Sequence, residues 1–127
     1  MKKSVVIIDD DPISILVTET LMKKKDFAER IKSFERPEDA LDYFENLYSS
    51  ENHAPDYIFL DIQMPTMSGW DFLDNYEKLT EKVKALKHVI MLSATFSPED
   101  TEKAKDHDLV KELVTKPVNG DILAGLS

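Results

Sequence analysis

Apolar positions along this chain follow two patterns that alternate from one end to the other. The first is the continuous β-branched or aromatic run: Val5-Val6-Ile7-Ile8, Tyr57-Ile58-Phe59-Leu60 and Val89-Ile90-Met91-Leu92. Short runs of this kind predict strands buried on both faces, which belong to parallel sheets covered by helices. The strands are expected over Ser4–Asp9, Tyr57–Asp61 and His88–Ser93. Arg30 to Phe34, with alternating character, and Leu113-Val114-Thr115 predict two further short ones.

The second pattern is helical spacing. Ile13, Leu16, Val17 and Leu21 predict a first helix with an apolar stripe toward the core. Leu41, Phe44, Leu47 and Tyr48 predict a second; Trp70, Leu73 and Tyr76, with Val83 a candidate fourth member, predict a third. Each start carries a physical signal: Asp11 before Pro12, Pro37-Glu38-Asp39, Ser68-Gly69, and Ser97-Pro98-Glu99-Asp100. Asp or Ser caps the first free N–H groups, proline suits the first helical position, and acids suit the first turn. Lys23-Lys24-Lys25 reads as a solvated helix end. The helix after Ser97 is polar on nearly every face, with Ala104 its only apolar residue before Leu109. The tail holds Ile122, Leu123 and Leu126, but Gly120 and Gly125 make any last helix short and weak.

Strand and helix alternating five times within 127 residues predict an α/β fold, a doubly wound sheet with helices on both faces. The whole chain, 1–127, reads as one domain without internal repeats or a linker. With 42% hydrophobic residues it can bury a real core. The net charge of −9 argues against nucleic acid and suits a metal or a partly basic partner surface. There is no cysteine. The apolar run after Met1-Lys2-Lys3 is too short for a signal peptide, and no segment reaches membrane-spanning length. The expected location is the cytoplasm.

In a parallel sheet all carboxyl ends lie along one edge, where ligands bind. That edge would gather Asp9 and Asp10, Asp61, Ser93 and Lys116 from across the sequence. Taken alone, Asp61 is as well explained as a turn residue, and Asp11 as a helix cap. Together, crowded carboxylates make a hard-oxygen site suited to Mg2+, and a lysine or divalent ion relieves their repulsion. A carboxylate nucleophile, magnesium, a lysine and a hydroxyl are the parts needed to accept a phosphoryl group. His53, His88 and His107 lack metal-ligand spacing and read as surface residues, and Trp70 reads as helix packing.

The motifs Val5-Val6-Ile7-Ile8-Asp9-Asp10-Asp11-Pro12, Leu60-Asp61-Ile62-Gln63-Met64-Pro65 with Met67-Ser68-Gly69, Met91-Leu92-Ser93-Ala94 and Thr115-Lys116-Pro117 occur in order. With them the chain resembles, from end to end, the response regulator receiver domains of bacterial two-component systems. The resemblance implies a flavodoxin-like strand order of 2-1-3-4-5. It makes Asp61 the phosphoacceptor from a sensor histidine kinase or a histidine phosphotransfer protein. It assigns Mg2+ to Asp9, Asp10, Asp61 and the backbone carbonyl of Gln63. It gives Ser93 and Lys116 contacts to the phosphoryl oxygens and makes the Lys116-Pro117 peptide cis. The implied product is a stand-alone signalling domain, not an enzyme, that switches binding to a downstream protein target or relays phosphate.

Two other readings remain open at this point: a partner-binding domain that works without phosphorylation, and a small aspartate-nucleophile phosphatase. The phosphatase class has a second acid two residues after its nucleophile, where this chain has Gln63. The chain also departs from the receiver pattern. Leu113 stands where the family often has a switching aromatic, Ser68 replaces an acid, and only ten residues follow Pro117. Gln63 and Thr95 occupy positions that the family uses to tune dephosphorylation. The helix around Pro98–Asp106 is the expected moving part, since few apolar contacts mean low local stability.

Overall fold

The computed structural model describes residues 3–50, 53–83 and 86–126. Strands β1 (Lys3–Ile8), β2 (Ala28–Phe34), β3 (Tyr57–Asp61), β4 (Val89–Ser93) and β5 (Val110–Thr115) alternate with helices. The helices are α1 (Pro12–Lys24), α2 (Pro37–Ser50), α3 (Gly69–Leu79), α4 (Pro98–Asp106) and α5 (Gly120–Leu126). All four strand pairings are parallel, in the order β2-β1-β3-β4-β5. Parallel neighbours require long crossovers, and right-handed ones place the helices on both faces.

Alternation along the strands divides the core. Val6, Ile8, Ile58 and Leu60 pack with Ala40, Phe44, Tyr48, Phe72, Leu73 and Tyr76 of α2 and α3. Val5, Ile7 and Phe59 pack with Ile15, Met22, Leu123 and Leu126 of α1 and α5. The central strands are apolar on successive residues because both of their faces are covered. β2 and β5 begin earlier than their apolar residues announced, at Ala28 and Val110, since edge strands admit Glu29, Lys111 and Glu112.

The predicted inner face of α1 is corrected. Ile13, Leu16 and Val17 are 71%, 63% and 49% exposed. Of the predicted stripe only Leu21 packs against the core, and the buried residues are Ile15, Thr18 and Met22. Two interleaved stripes of this helix have helical spacing, and its attachments choose between them. Asp11 caps one end by accepting from the Ile13 N–H at 3.0 Å. At the other, the Met22 carbonyl accepts from the Phe27 N–H at 2.9 Å and ties the helix to the start of β2. Val83 is buried, but α3 ends at Leu79 and a 3-10 turn over Thr80–Lys82 delivers it. The other two helix expectations hold: α4 buries no residue, and α5 spans seven.

The histidines are corrected as well. His53 is exposed and His107 half-buried, but His88 is only 5% exposed. Its Nδ1 lies 2.6 Å from the Leu86 carbonyl, its Nε2 2.8 Å from the Tyr76 hydroxyl, which is 2.8 Å from that of Tyr48. A carbonyl only accepts, so Nδ1 carries the proton, Nε2 accepts from Tyr76, and Tyr76 accepts from Tyr48. Burial holds the His88 pKa below its ordinary value, against a smaller upward pull from the Leu86 carbonyl. The unfolded chain therefore takes up a proton near pH 6.5 that the folded chain resists. This group's stabilisation is complete above that pH and fades as pH falls through it, by at most about 1.4 kcal/mol per unit. Urea midpoints at pH 7.5 and 5.5 are expected to separate more in the wild type than in His88→Gln; equal separations refute this.

Candidate functional site

Strand register sets the site. Ile8 pairs with Leu60, Asp61 with Leu92, and Ser93 with Thr115. Asp9, Asp61, Ser93 and Lys116 therefore stand at, or one residue past, the carboxyl ends of the adjacent strands β1, β3, β4 and β5. Buried apolar strands carry Asp9, Asp61 and Ser93 to the sheet edge with little freedom, and the partly exposed edge strand β5 carries Lys116. Asp10 follows Asp9 and is exposed, whereas Asp9 and Asp61 are buried.

Lys116 Nζ lies 2.7 Å from Asp9 Oδ2 and 3.4 Å from Asp61 Oδ2. Asp9 also accepts from the Asp11 N–H at 3.0 Å. The tight partner of the lysine is thus Asp9, leaving Asp61 the less neutralised carboxylate. Burial, then the neighbouring charge of Asp9, pushes the Asp61 pKa up to about 7, against the opposing pull of Lys116. Burial pushes the Lys116 amine down, but its hydrogen bond and charge interaction with Asp9, then those with Asp61, outweigh it and raise its pKa. A buried carboxylate perturbed in this way by a specific charged neighbour marks a candidate functional group.

Asp9, Asp10 and Asp61 each offer an oxygen, and the three oxygens lie within 4.8 Å of one another. An all-carboxylate set with a single ammonium beside it suits a hard divalent cation. The Lys116-Pro117 peptide is cis, as expected.

The loop after β3 is locked to the acid. The Gly69 N–H donates to the Ile62 carbonyl at 2.7 Å, and a Cβ on Gly69 would sit 2.5 Å from the Asp61 carbonyl oxygen. Only glycine allows α3 to start this close to the strand end. Ser68 caps α3 by accepting from the Asp71 N–H at 3.1 Å. The Gln63 N–H lies 3.3 Å from Asp61 Oδ1.

Ser93 is fully buried, and its hydroxyl is already engaged. Its single proton has two acceptors in reach, Gln63 Oε1 at 2.6 Å and the Thr95 carbonyl. Gln63 Nε2 reaches the same carbonyl at 3.4 Å. Sequence reasoning gave Gln63 its backbone and its position, but not this side-chain bridge from the β3 loop to the β4 loop. It also missed the Trp70 indole N–H, which donates to Asp100 Oδ1 at 2.9 Å. No local spacing relates residues thirty positions apart, so neither contact had a sequence signal.

The family model described as the response regulator receiver domain matches residues 5–125. This chain belongs to that family. Receiver domains are signalling domains of two-component systems, and this one is similar over nearly its full length to solved relatives. A two-component response regulator from Cytophaga hutchinsonii is 31% identical, with a TM-score of 0.88, covering 99% of this chain and 95% of that one. A response regulator receiver protein from Dyadobacter fermentans is 28% identical, with a TM-score of 0.83 and coverage of 97% and 93%. The receiver domain of the histidine kinase CKI1 from Arabidopsis thaliana, complexed with Mg2+ and BeF3−, shares the fold at 20% identity. Its TM-score is 0.82, with coverage of 98% and 89%. A search of curated protein sequences finds no match. Among the described residues, no helix is long and apolar enough to cross a membrane.

Proposed function

We propose that Asp61 is the phosphoacceptor of this receiver domain, taking a phosphoryl group from a histidine of a sensor kinase or of a phosphotransfer protein. The observation that carries the reading is the Asp61 carboxylate, buried beside Asp9 and 3.4 Å from the Lys116 ammonium. Asp61 attacks phosphorus as the phosphorus–nitrogen bond breaks, and the departing imidazole nitrogen keeps the electron pair and takes a proton. Lys116 pairs with a phosphoryl oxygen, and Ser93 turns its hydroxyl to another. Positioning and charge neutralisation supply nearly all the catalysis such a transfer needs.

Asp9, Asp10, Asp61 and the Gln63 carbonyl are the residues that would hold Mg2+. Bound there, it neutralises charge on the phosphoryl oxygens. The relative complexed with Mg2+ and BeF3− supports the assignment by its shared fold. The domain acts as a switch for a protein partner and not as an enzyme turning over substrate. Beside Asp11 and Pro12, the exposed Ile13, Leu16 and Val17 form an apolar stripe that a partner would cover.

Incubation with acetyl phosphate and Mg2+, followed by intact mass, is expected to show the gain of one phosphoryl group, absent in Asp61→Asn. No gain, or a gain that survives the substitution, sinks the reading and favours a phosphorylation-independent binding domain.

A further inference from the structure

Helix α4 has a thin hold on the core. It buries no residue and packs only the half-buried Ala104 against the cluster, and Leu113 replaces the aromatic through which a receiver could signal on β5. Its N-terminus is instead pinned by polar contacts at two places. The first is the Thr95 carbonyl, which Ser93 and Gln63 both engage. The second is Asp100. Its Oδ2 accepts from the Ser97 N–H at 2.9 Å, closing a capping box, while its Oδ1 accepts from the Trp70 indole at 2.9 Å. Lys103 adds a contact one turn on, with its ammonium 5.8 Å from the Trp70 ring centroid. Trp70 itself is fixed, since it follows Gly69, which is hydrogen-bonded to the Ile62 carbonyl just past Asp61.

These two pins are not independent. A Ser93 hydroxyl that turns toward a phosphoryl oxygen abandons the Thr95 carbonyl, and only Phe96 separates Thr95 from the Ser97 cap. We propose that the Trp70–Asp100 hydrogen bond is a clasp that holds α4 in its resting position and opens when Asp61 is phosphorylated. Trp70 and Asp100 are then positioning residues for the switch, and the signal leaves along α3 and α4 in place of a rotating aromatic on β5. This rests on Asp61 being the phosphoacceptor. A contact made only in the resting state opposes the switched state, so removing it favours whatever binds that state.

Trp70 is the only tryptophan, so its indole reports directly. Mg2+ with beryllofluoride serves as the phosphoryl mimic. The indole N–H resonance is expected to shift and to exchange faster with solvent when the mimic binds. Trp70→Phe, which keeps a ring but loses the donor, is expected to bind the mimic about three- to tenfold more tightly, the range for one ordinary, partly solvated hydrogen bond. A purely structural brace predicts a lower melting temperature with unchanged affinity. An unmoved indole signal in the bound wild type, or a Trp70→Phe affinity equal to or weaker than wild type, overturns the clasp alone. Absence of both mimic binding and acetyl phosphate labelling in the wild type overturns the phosphoacceptor reading and the clasp with it.

Discussion

Gly69→Ala is expected to destabilise the domain by about 1–3 kcal/mol and to slow acetyl phosphate labelling at least tenfold. The added Cβ meets the Asp61 carbonyl oxygen at 2.5 Å and the Ile62 Cα at 2.9 Å. Both are backbone atoms in a buried strand end, so no flexible side chain can yield. Either α3 backs away, straining the 2.7 Å hydrogen bond to the Ile62 carbonyl, or the end of β3 moves. Alanine's better helix propensity offsets up to about 1 kcal/mol at an interior position and less at this first one. The functional loss exceeds the stability loss because the displaced atoms belong to Asp61 itself, and an ångström of misplacement matters for group transfer. Urea midpoints and labelling rates measured on the same variant check both halves. Wild-type values for both would show that the loop absorbs the methyl and that the close approach is incidental.

Much of this was legible from apolar runs ending in acid. Tyr57–Leu60 and Val5–Ile8 read as buried strands of a parallel sheet, whose ends share one edge, and that edge collects Asp9, Asp61, Ser93 and Lys116. What escaped depended on relations with no period. Helix α1 has two stripes of helical spacing, and rotation about its axis is set by the Asp11 cap and the Phe27 turn, not by hydrophobicity. His88 looked like a surface residue because a lone histidine before a strand carries no sign of its partners; Tyr48 and Tyr76 lie on two different helices. Gln63 was visible as a position, but its hold on Ser93 depends on a side-chain conformation. Binary pattern fixes layers and edges, whereas helix rotation and polar bridging are decided by tertiary contact.

The same edge that organises the site also loads it with repulsion, which leads to the second large effect: Asp61→Asn is expected to abolish labelling and yet raise stability in the absence of divalent metal. Folding places Asp61 next to Asp9, whose charge Lys116 neutralises more closely than that of Asp61. Burial, then Asp9, lifts the Asp61 pKa from 3.8 to about 7. Between those values the folded chain holds a proton that the unfolded chain has released. Stability from this group therefore falls as pH rises from about 4 to about 7, and stays reduced above. Asparagine has the same shape and no charge, so it removes the penalty. After discounting for water and Lys116, the gain at pH 7.5 is about 1–2 kcal/mol, or about 3–8 °C in melting temperature. Mg2+ should raise the wild type by mass action and the variant much less, so the gap narrows or reverses as the ion is added. Melting curves at pH 5 and 7.5, with and without Mg2+, test the sign directly. A variant that melts no higher than wild type at pH 7.5 without metal would mean that Asp61 bears no electrostatic burden, and that its reactivity needs another source.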